Sequence, residues 1–186
     1  MGKGVLFVIS APSGAGKSTL IDRIRPMFPD MLYSVSCTTR ARRGEEKEGV
    51  HYYFLDRDRF STMAANGGFL EWKEVHGNLY GTPAAPVKRA LASGRRMILD
   101  IDVQGAQEVF GKVPECVGIF VTAPDMKTLE QRLRRRGTDS EESIRTRLEN
   151  AEHEIRFAQL FDHLIVNDDL DRSVADLAGI IEKESE

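Results

Sequence analysis

Residues Ala11-Pro12-Ser13-Gly14-Ala15-Gly16-Lys17-Ser18, followed by Thr19, set one lysine and two hydroxyls behind a run of small side chains. Small residues let successive backbone N–H groups curl around an anion, and a helix opening behind them adds a positive partial charge. Lys17 can then reach the β- and γ-phosphates of a nucleoside triphosphate, while the Ser18 hydroxyl can bind Mg²⁺. The segment matches the phosphate-loop pattern G-x-x-x-x-G-K-[ST] with one departure, Ala11 at the first glycine. Ala11 suits that turn only with a negative φ, since alanine is strained where glycine is not. Asp100 ends the apolar run Met97-Ile98-Leu99 and is the second candidate for Mg²⁺, because ligands of an open α/β sheet gather at the carboxyl ends of its strands. Asp102, two residues on, is expected on the same face of the same strand.

These residues need elements to hold them. Val5-Leu6-Phe7-Val8-Ile9 is a continuous apolar run, as expected of a parallel strand covered on both faces. A helix is expected from about Lys17, with Leu20, Ile21 and Ile24 on one side and Pro26 near its end. Met97–Leu99, Val117–Val121 and Leu164–Val166 supply further strands. Between them lie helical spacings: Leu129 and Leu133 before a stop at Gly137, then Ile144, Leu148, Ala151, Ile155 and Ala158 as one stripe, then Val174, Leu177 and Ile181. Glu182 to Glu186 reads as a frayed helix end. Alternating strands and helices imply an α/β fold with a parallel sheet flanked by helices. From about Tyr33 to Pro86 the rhythm breaks into short segments rich in Gly, Pro and aromatics, which reads as an inserted α+β subdomain.

Composition narrows the function classes. The chain has 186 residues, 41% hydrophobic and 30% charged, which fits one globular domain. A net charge of −3 gives no nucleic-acid footprint over the whole surface. No apolar run reaches the ~18 residues of a membrane span, so no membrane partner is expected. Cys37 and Cys116 have neither metal-ligand spacing nor a disulfide framework, and a reducing cytoplasm is the expected setting. His51, His76, His153 and His163 form no ligand or triad pattern. Nothing in the sequence sets an oligomeric state.

A phosphate loop alone does not name a reaction. The Asn-Lys-x-Asp segment by which guanine-nucleotide switch proteins select their base is missing from the chain. The inserted region instead carries Ser36-Cys37-Thr38-Thr39-Arg40-Ala41-Arg42-Arg43-Gly44-Glu45, His51-Tyr52-Tyr53-Phe54, Phe69-Leu70-Glu71-Trp72 and Gly77-Asn78-Leu79-Tyr80-Gly81-Thr82. Leu99-Asp100-Ile101-Asp102-Val103-Gln104-Gly105-Ala106, Arg136-Gly137-Thr138-Asp139-Ser140-Glu141-Glu142 and Val166-Asn167-Asp168-Asp169 follow in order.

In this series the chain resembles the guanylate kinases from end to end. The resemblance implies a P-loop NTPase core of residues 1–32, 87–133 and 145–186, a GMP-binding subdomain of residues 33–86 and a small lid near residues 134–144. It implies ATP and GMP as substrates, Mg²⁺ as cofactor, and transfer of a phosphoryl group from ATP to GMP. Ser36, Glu71 and Thr82 would hold the guanine; Arg40, Arg43, Tyr52 and Tyr80 the GMP phosphate; Asp100 would serve both GMP and Mg²⁺. Lys17, Arg136 and Arg147 would neutralise the phosphoryl group in flight, and Asn167 would lie near the ATP base. Cys37, Ala41-Arg42 and Leu79 depart from the family's usual residues, and none is a position assigned to a ligand.

The chemistry of the residues agrees. Guanine offers N1–H and an exocyclic N2 amine on one edge, so a single carboxylate, Glu71, can accept both. Adenine would leave that carboxylate buried and unpaired, at ~1–3 kcal/mol or more. Arg40 and Arg43, three apart, can fork around a phosphate. Arg132, Arg134 and Arg135 suit a helix C-terminus through its dipole, while Arg136 and Arg147 bracket the lid. Two other readings stay open from the sequence: a kinase for another small acceptor such as AMP or a sugar phosphate, and a non-catalytic peptide-binding module. The intact Lys17-Ser18 pair favours an enzyme over the module.

Overall fold

The computed structural model describes residues 3–75, 77–135, 137 and 139–185. In chain order the elements are β1 (Leu6–Ser10), α1 (Lys17–Ile24), β2 (Leu32–Tyr33), β3 (Cys37–Thr38), β4 (Tyr53–Phe54) and α2 (Arg57–Ala65). Then come β5 (Phe69–Val75), β6 (Asn78–Pro83), α3 (Ala84–Ala92), β7 (Met97–Asp100), α4 (Val103–Lys112) and β8 (Val117–Thr122). The chain finishes with α5 (Met126–Arg135), α6 (Glu141–Ile155), β9 (His163–Val166) and α7 (Leu170–Lys183).

Five strands form one sheet in the order β2-β7-β1-β8-β9, with every pairing parallel. The apolar run of β1 is buried at all five positions because each face meets a different helical layer. Phe7 and Ile9 pack with Leu20 and Ile24 of α1 and Leu177 and Ile181 of α7. Leu6 and Val8 pack with Val87 of α3 and Ala106 and Val109 of α4. Four further strands form a second, mixed sheet in the order β4-β3-β6-β5, closed over α2 by Cys37, Phe60, Phe69 and Leu79. The α/β architecture with an inserted α+β unit is therefore present.

Helix starts follow local chemistry. Asp56, Asp102, Ser140 and Asp169 each accept a backbone N–H three residues on, satisfying the first turns of α2, α4, α6 and α7. Gly137, at φ 67, donates its N–H to the Arg134 carbonyl just past α5, the stop expected there.

Three local expectations need correction. Asp102 does not continue the strand of Asp100: β7 ends at Asp100, and Asp102 turns to cap α4. The stripe from Ile144 does not reach Ala158 in one helix, because α6 ends at Ile155 and Ala158 opens a separate 3₁₀ turn. The C-terminal residues are not simply frayed, since Glu184 lies 3.1 Å from His163 Nε2 and the Ser185 hydroxyl donates to the Ile181 carbonyl. Tyr33 pairs with Ile98 in the large sheet, and Pro86 lies in α3.

Candidate active site

The loop between β1 and α1 turns on two glycines in the left-handed region, Gly14 at φ 92 and Gly16 at φ 93. Ala15 N–H donates to the Pro12 carbonyl at 3.1 Å within that turn. Gly16 is the N-cap of α1 and supplies no side-chain cap, so the first amides of this helix face the loop's concavity uncapped. A side chain at Gly16 would collide with the Asn167 amide, and one at Gly14 would press on Leu133. Ser13 is half-buried, Ala11 likewise, and Ser18 and Thr19 present their hydroxyls on the exposed first turn of α1.

Two cavities flank this loop. One, of about 350 Å³, is lined by Gly14, Gly16, Thr19, Arg132, Arg135, Asn167, Asp168 and Leu170. Asn167 is buried and its amide donates to the Ala15 carbonyl at 2.8 Å. Arg132 donates to the Asn167 carbonyl at 2.8 Å and reaches the Ala15 carbonyl at 3.4 Å. Arg132 thus clamps the loop to the β9–α7 turn, a role that nothing in its sequence neighbourhood distinguishes from a basic helix end. Arg134 does behave as a helix-end cation, pairing with Glu130 and Glu141.

The second cavity, of about 250 Å³, lies where the small sheet faces the carboxyl end of β7. It is lined by Ser36, Tyr52, Glu71, Lys73, Val75, Tyr80, Gly81, Asp100, Ile101 and Asp102. Glu71, only 6% exposed, accepts from the Thr82 hydroxyl at 2.5 Å. Burial pushes the Glu71 carboxyl above the usual glutamate range, against the opposing pull of the Thr82 hydrogen bond and the Lys73 charge. Thr82 faces Glu71 because the two are register partners on β6 and β5. Lys73 follows Glu71 on the same face of β5 and ion-pairs with Asp102 across the cavity. That spacing of two was the available signal for Lys73, which sequence reasoning missed.

Lys17 joins the two spaces. Its neighbours Gly16 and Thr19 line the first cavity, while its own ammonium sits 2.7 Å from Asp100 Oδ1 and donates to the Ile101 carbonyl at 2.9 Å, both residues of the second. Asp100 also accepts from the Tyr33 hydroxyl at 3.2 Å. From α6, Arg147 donates to Ser13 Oγ at 2.8 Å and pairs with Asp139 at 3.3 Å. Arg136 lies outside the described residues.

Arg40 and Arg43, the two arginines expected at the acceptor phosphate, part company. Arg40 is buried, over the Tyr52 ring at 5.4 Å, and gripped by Glu46. The Arg43 side chain is exposed and lines neither cavity. Ser18 and Asp100 fit a hard cation, since both offer oxygen and Mg²⁺ takes few protein ligands when phosphates supply the rest. Among the described residues no cluster of three or more His, Cys, Asp or Glu side chains offers a metal cage by itself. Nor is any described helix long and apolar enough to cross a membrane.

Comparison with known proteins gives this geometry a context. A family model described as guanylate kinase matches residues 3–184. The guanylate kinase of Carboxydothermus hydrogenoformans is 50% identical over 184 residues, covering 99% of this chain and 90% of that protein. The guanylate kinase of Syntrophotalea carbinolica is 50% identical over 178 residues, 96% of this chain and 85% of its own. Among solved structures, guanylate kinase from Anaplasma phagocytophilum superposes with a TM-score of 0.76 at 34% identity, covering 100% of this chain and 88% of that one. Shikimate kinase from Bacteroides thetaiotaomicron, at 15% identity and a TM-score of 0.50 over 96% of this chain and 98% of that one, shares the fold.

Proposed function

The chain belongs to the guanylate kinase family, and we propose that it transfers the γ-phosphoryl group of ATP to GMP, giving ADP and GDP. The observation that carries this reading is Lys17, which stands between the phosphate-loop cavity and the cavity walled by Glu71. ATP lies along the loop, its phosphates on the uncapped amides of α1 and its base toward Asn167. GMP lies in the second cavity, its guanine edge on Glu71 with Ser36 and Thr82 nearby, its phosphate toward Arg40, Arg43, Tyr52 and Tyr80.

A GMP phosphate oxygen attacks the γ-phosphorus as the bond to the β,γ-bridging oxygen breaks, so no covalent enzyme intermediate is needed. Catalysis is then positioning and charge stabilisation. Lys17 neutralises the phosphoryl group in flight. Arg147, already at the loop through Ser13, adds a second positive charge, and Arg136 would add a third. Ser18 and Asp100 would hold Mg²⁺, which neutralises phosphate charge when bound. Residues 33–86 would act as the GMP-binding unit and residues near 134–144 as the lid over a core of 1–32, 87–133 and 145–186, closing together to exclude water. Two free, buried cysteines suit a reducing compartment, and the cytoplasm is the proposed setting.

The test is product identity. Purified protein with γ-labelled ATP and GMP should move label into GDP in step with ADP formation. ADP without labelled GDP would reduce the protein to an ATP hydrolase and overturn the reading.

A further inference from the structure

Arg40 has five N–H donors, and Glu46 and the Ala41 carbonyl take three of them. Nη1 donates to the Ala41 carbonyl at 2.8 Å and to Glu46 Oε2 at 3.0 Å. Nη2 donates to Glu46 Oε1 at 2.7 Å. The Nε–H and the second Nη2–H lie on the other edge of the guanidinium plane and form a second fork, the edge left for the Tyr80 hydroxyl and for a ligand. The plane itself sits over the Tyr52 ring at 5.4 Å, and the Tyr80 hydroxyl adds to the hydrogen bonding that keeps Arg40 charged. Tyr52 and Tyr80 both line the cavity that holds Glu71.

Glu46 does more than pair with Arg40. Its Oε2 also accepts the Arg43 backbone N–H at 2.8 Å, and its own N–H donates to the Arg43 carbonyl at 3.0 Å. One carboxylate therefore fixes both the plane of a buried arginine and the turn that carries a second one. The Arg40 side chain is long and has many rotamers, so an unanchored guanidinium would have to be ordered by the ligand itself.

We propose that Glu46 is a positioning residue of the acceptor-phosphate clamp, holding Arg40 by its terminal edge so that the Nε–Nη2 edge is presented to the phosphate of the nucleoside monophosphate. The inference rests on the reading of the second cavity as the GMP site. A neutral amide at this position keeps the shape but sets an NH₂ against an Arg40 donor, so the grip is lost. The Glu46 carboxyl is held down to about 2 by the Arg40 hydrogen bonds first and the Arg43 amide second, so it remains ionised throughout the neutral range.

The experiment compares wild type, Glu46→Gln and Glu46→Asp by steady-state kinetics, and by binding of GMP against guanosine, which lacks the phosphate. In Glu46→Gln the KM for GMP should rise about tenfold or more, the scale of charge-assisted hydrogen bonds lost. Its kcat and KM for ATP should stay within about threefold, guanosine affinity should be unchanged, and Glu46→Asp should recover part of the loss. On an Arg40→Ala background, Glu46→Gln should add nothing. An unchanged or lower KM for GMP would mean that Glu46 competes with the phosphate or is idle, and the inference falls. Equal loss of GMP and guanosine affinity would reduce Glu46 to a scaffold of the small sheet, and it falls again. Wild type that does not phosphorylate GMP would instead sink the functional reading, and this inference with it.

Discussion

Gly105 stands against Glu71, and a methyl group built on Gly105 would lie 3.1 Å from Glu71 Oε2 and 3.3 Å from its Cδ. The first turn of α4 therefore reaches the buried carboxylate with backbone alone. A helical glycine costs roughly 0.5–1 kcal/mol relative to alanine, so its presence in α4 runs against helix propensity and makes room for Glu71.

Gly105→Ala should accordingly separate stability from function. The added methyl gains helix propensity and pushes the Glu71 carboxylate off its line toward the cavity. The KM for GMP is expected to rise about tenfold, the KM for ATP to hold, and the melting temperature to fall by no more than a degree or two. Thermal melts beside GMP kinetics check this; unchanged GMP kinetics would separate Gly105 from guanine selection.

Glu71 gives a pH signature. Burial is the main cause of its raised pKa, and accepting N1–H and N2–H requires the ionised form. Affinity for GMP should then be lost as pH falls through that raised pKa, beginning above the range of an ordinary glutamate. For the fold the sign is opposite: a carboxyl with its folded pKa above its unfolded one favours the folded state at low pH and loses that contribution as pH rises through the folded value. Glu71→Gln should therefore melt no lower than wild type at pH 7.5, yet raise the KM for GMP about 10–100-fold. Calorimetry and kinetics on the same preparation decide it.

Lys17 pairs with Asp100 at 2.7 Å, at a site where both side chains are mostly shielded from water. Lys17→Met should lower kcat by ~10²–10³-fold, the scale of removing one preorganised transition-state donor. GMP binding, measured by calorimetry, should change far less, because Lys17 acts on charge that develops in transfer. A kcat within threefold of wild type would remove Lys17 from the mechanism.

The cysteines should be quiet. Burial first, then the nearby Glu48, pushes the Cys37 thiol up to about 11; burial, then Asp162, does the same for Cys116. At pH 8 about a thousandth of either is thiolate, the form that reacts. Iodoacetamide should leave the native protein unmodified over an hour and label both positions in guanidinium chloride. Rapid labelling of native Cys37 would show that the small sheet opens readily.

Much of this was legible in the residues. β1, β8 and the start of α1 were readable because continuous apolar runs and Gly/Pro punctuation carry a signal longer than the error on any boundary. The small sheet was readable only as an interruption, since its β3 and β4, like β2 at the edge of the large sheet, are two residues each and too short for any periodicity. Tyr33 was therefore assigned to the insertion although it pairs in the large sheet. Ser36, Tyr52, Glu71, Tyr80 and Asp100 line one cavity. Arg132 and Glu46 were missed because their roles come from partners 35 and 6 positions away, which no local pattern encodes, while Lys73 shows only a spacing of two from Glu71 and finds its partner 29 positions away.

On the proposed reading, this site selects guanine through the Glu71 carboxylate. The most direct measurement is ADP release with saturating ATP and, in turn, GMP, dGMP, AMP, CMP and UMP. The account predicts rapid release with GMP and a kcat/KM for AMP lower by ~10⁴-fold or more, the discrimination available to a site built around such hydrogen bonds. Comparable turnover with AMP or a pyrimidine monophosphate would contradict it.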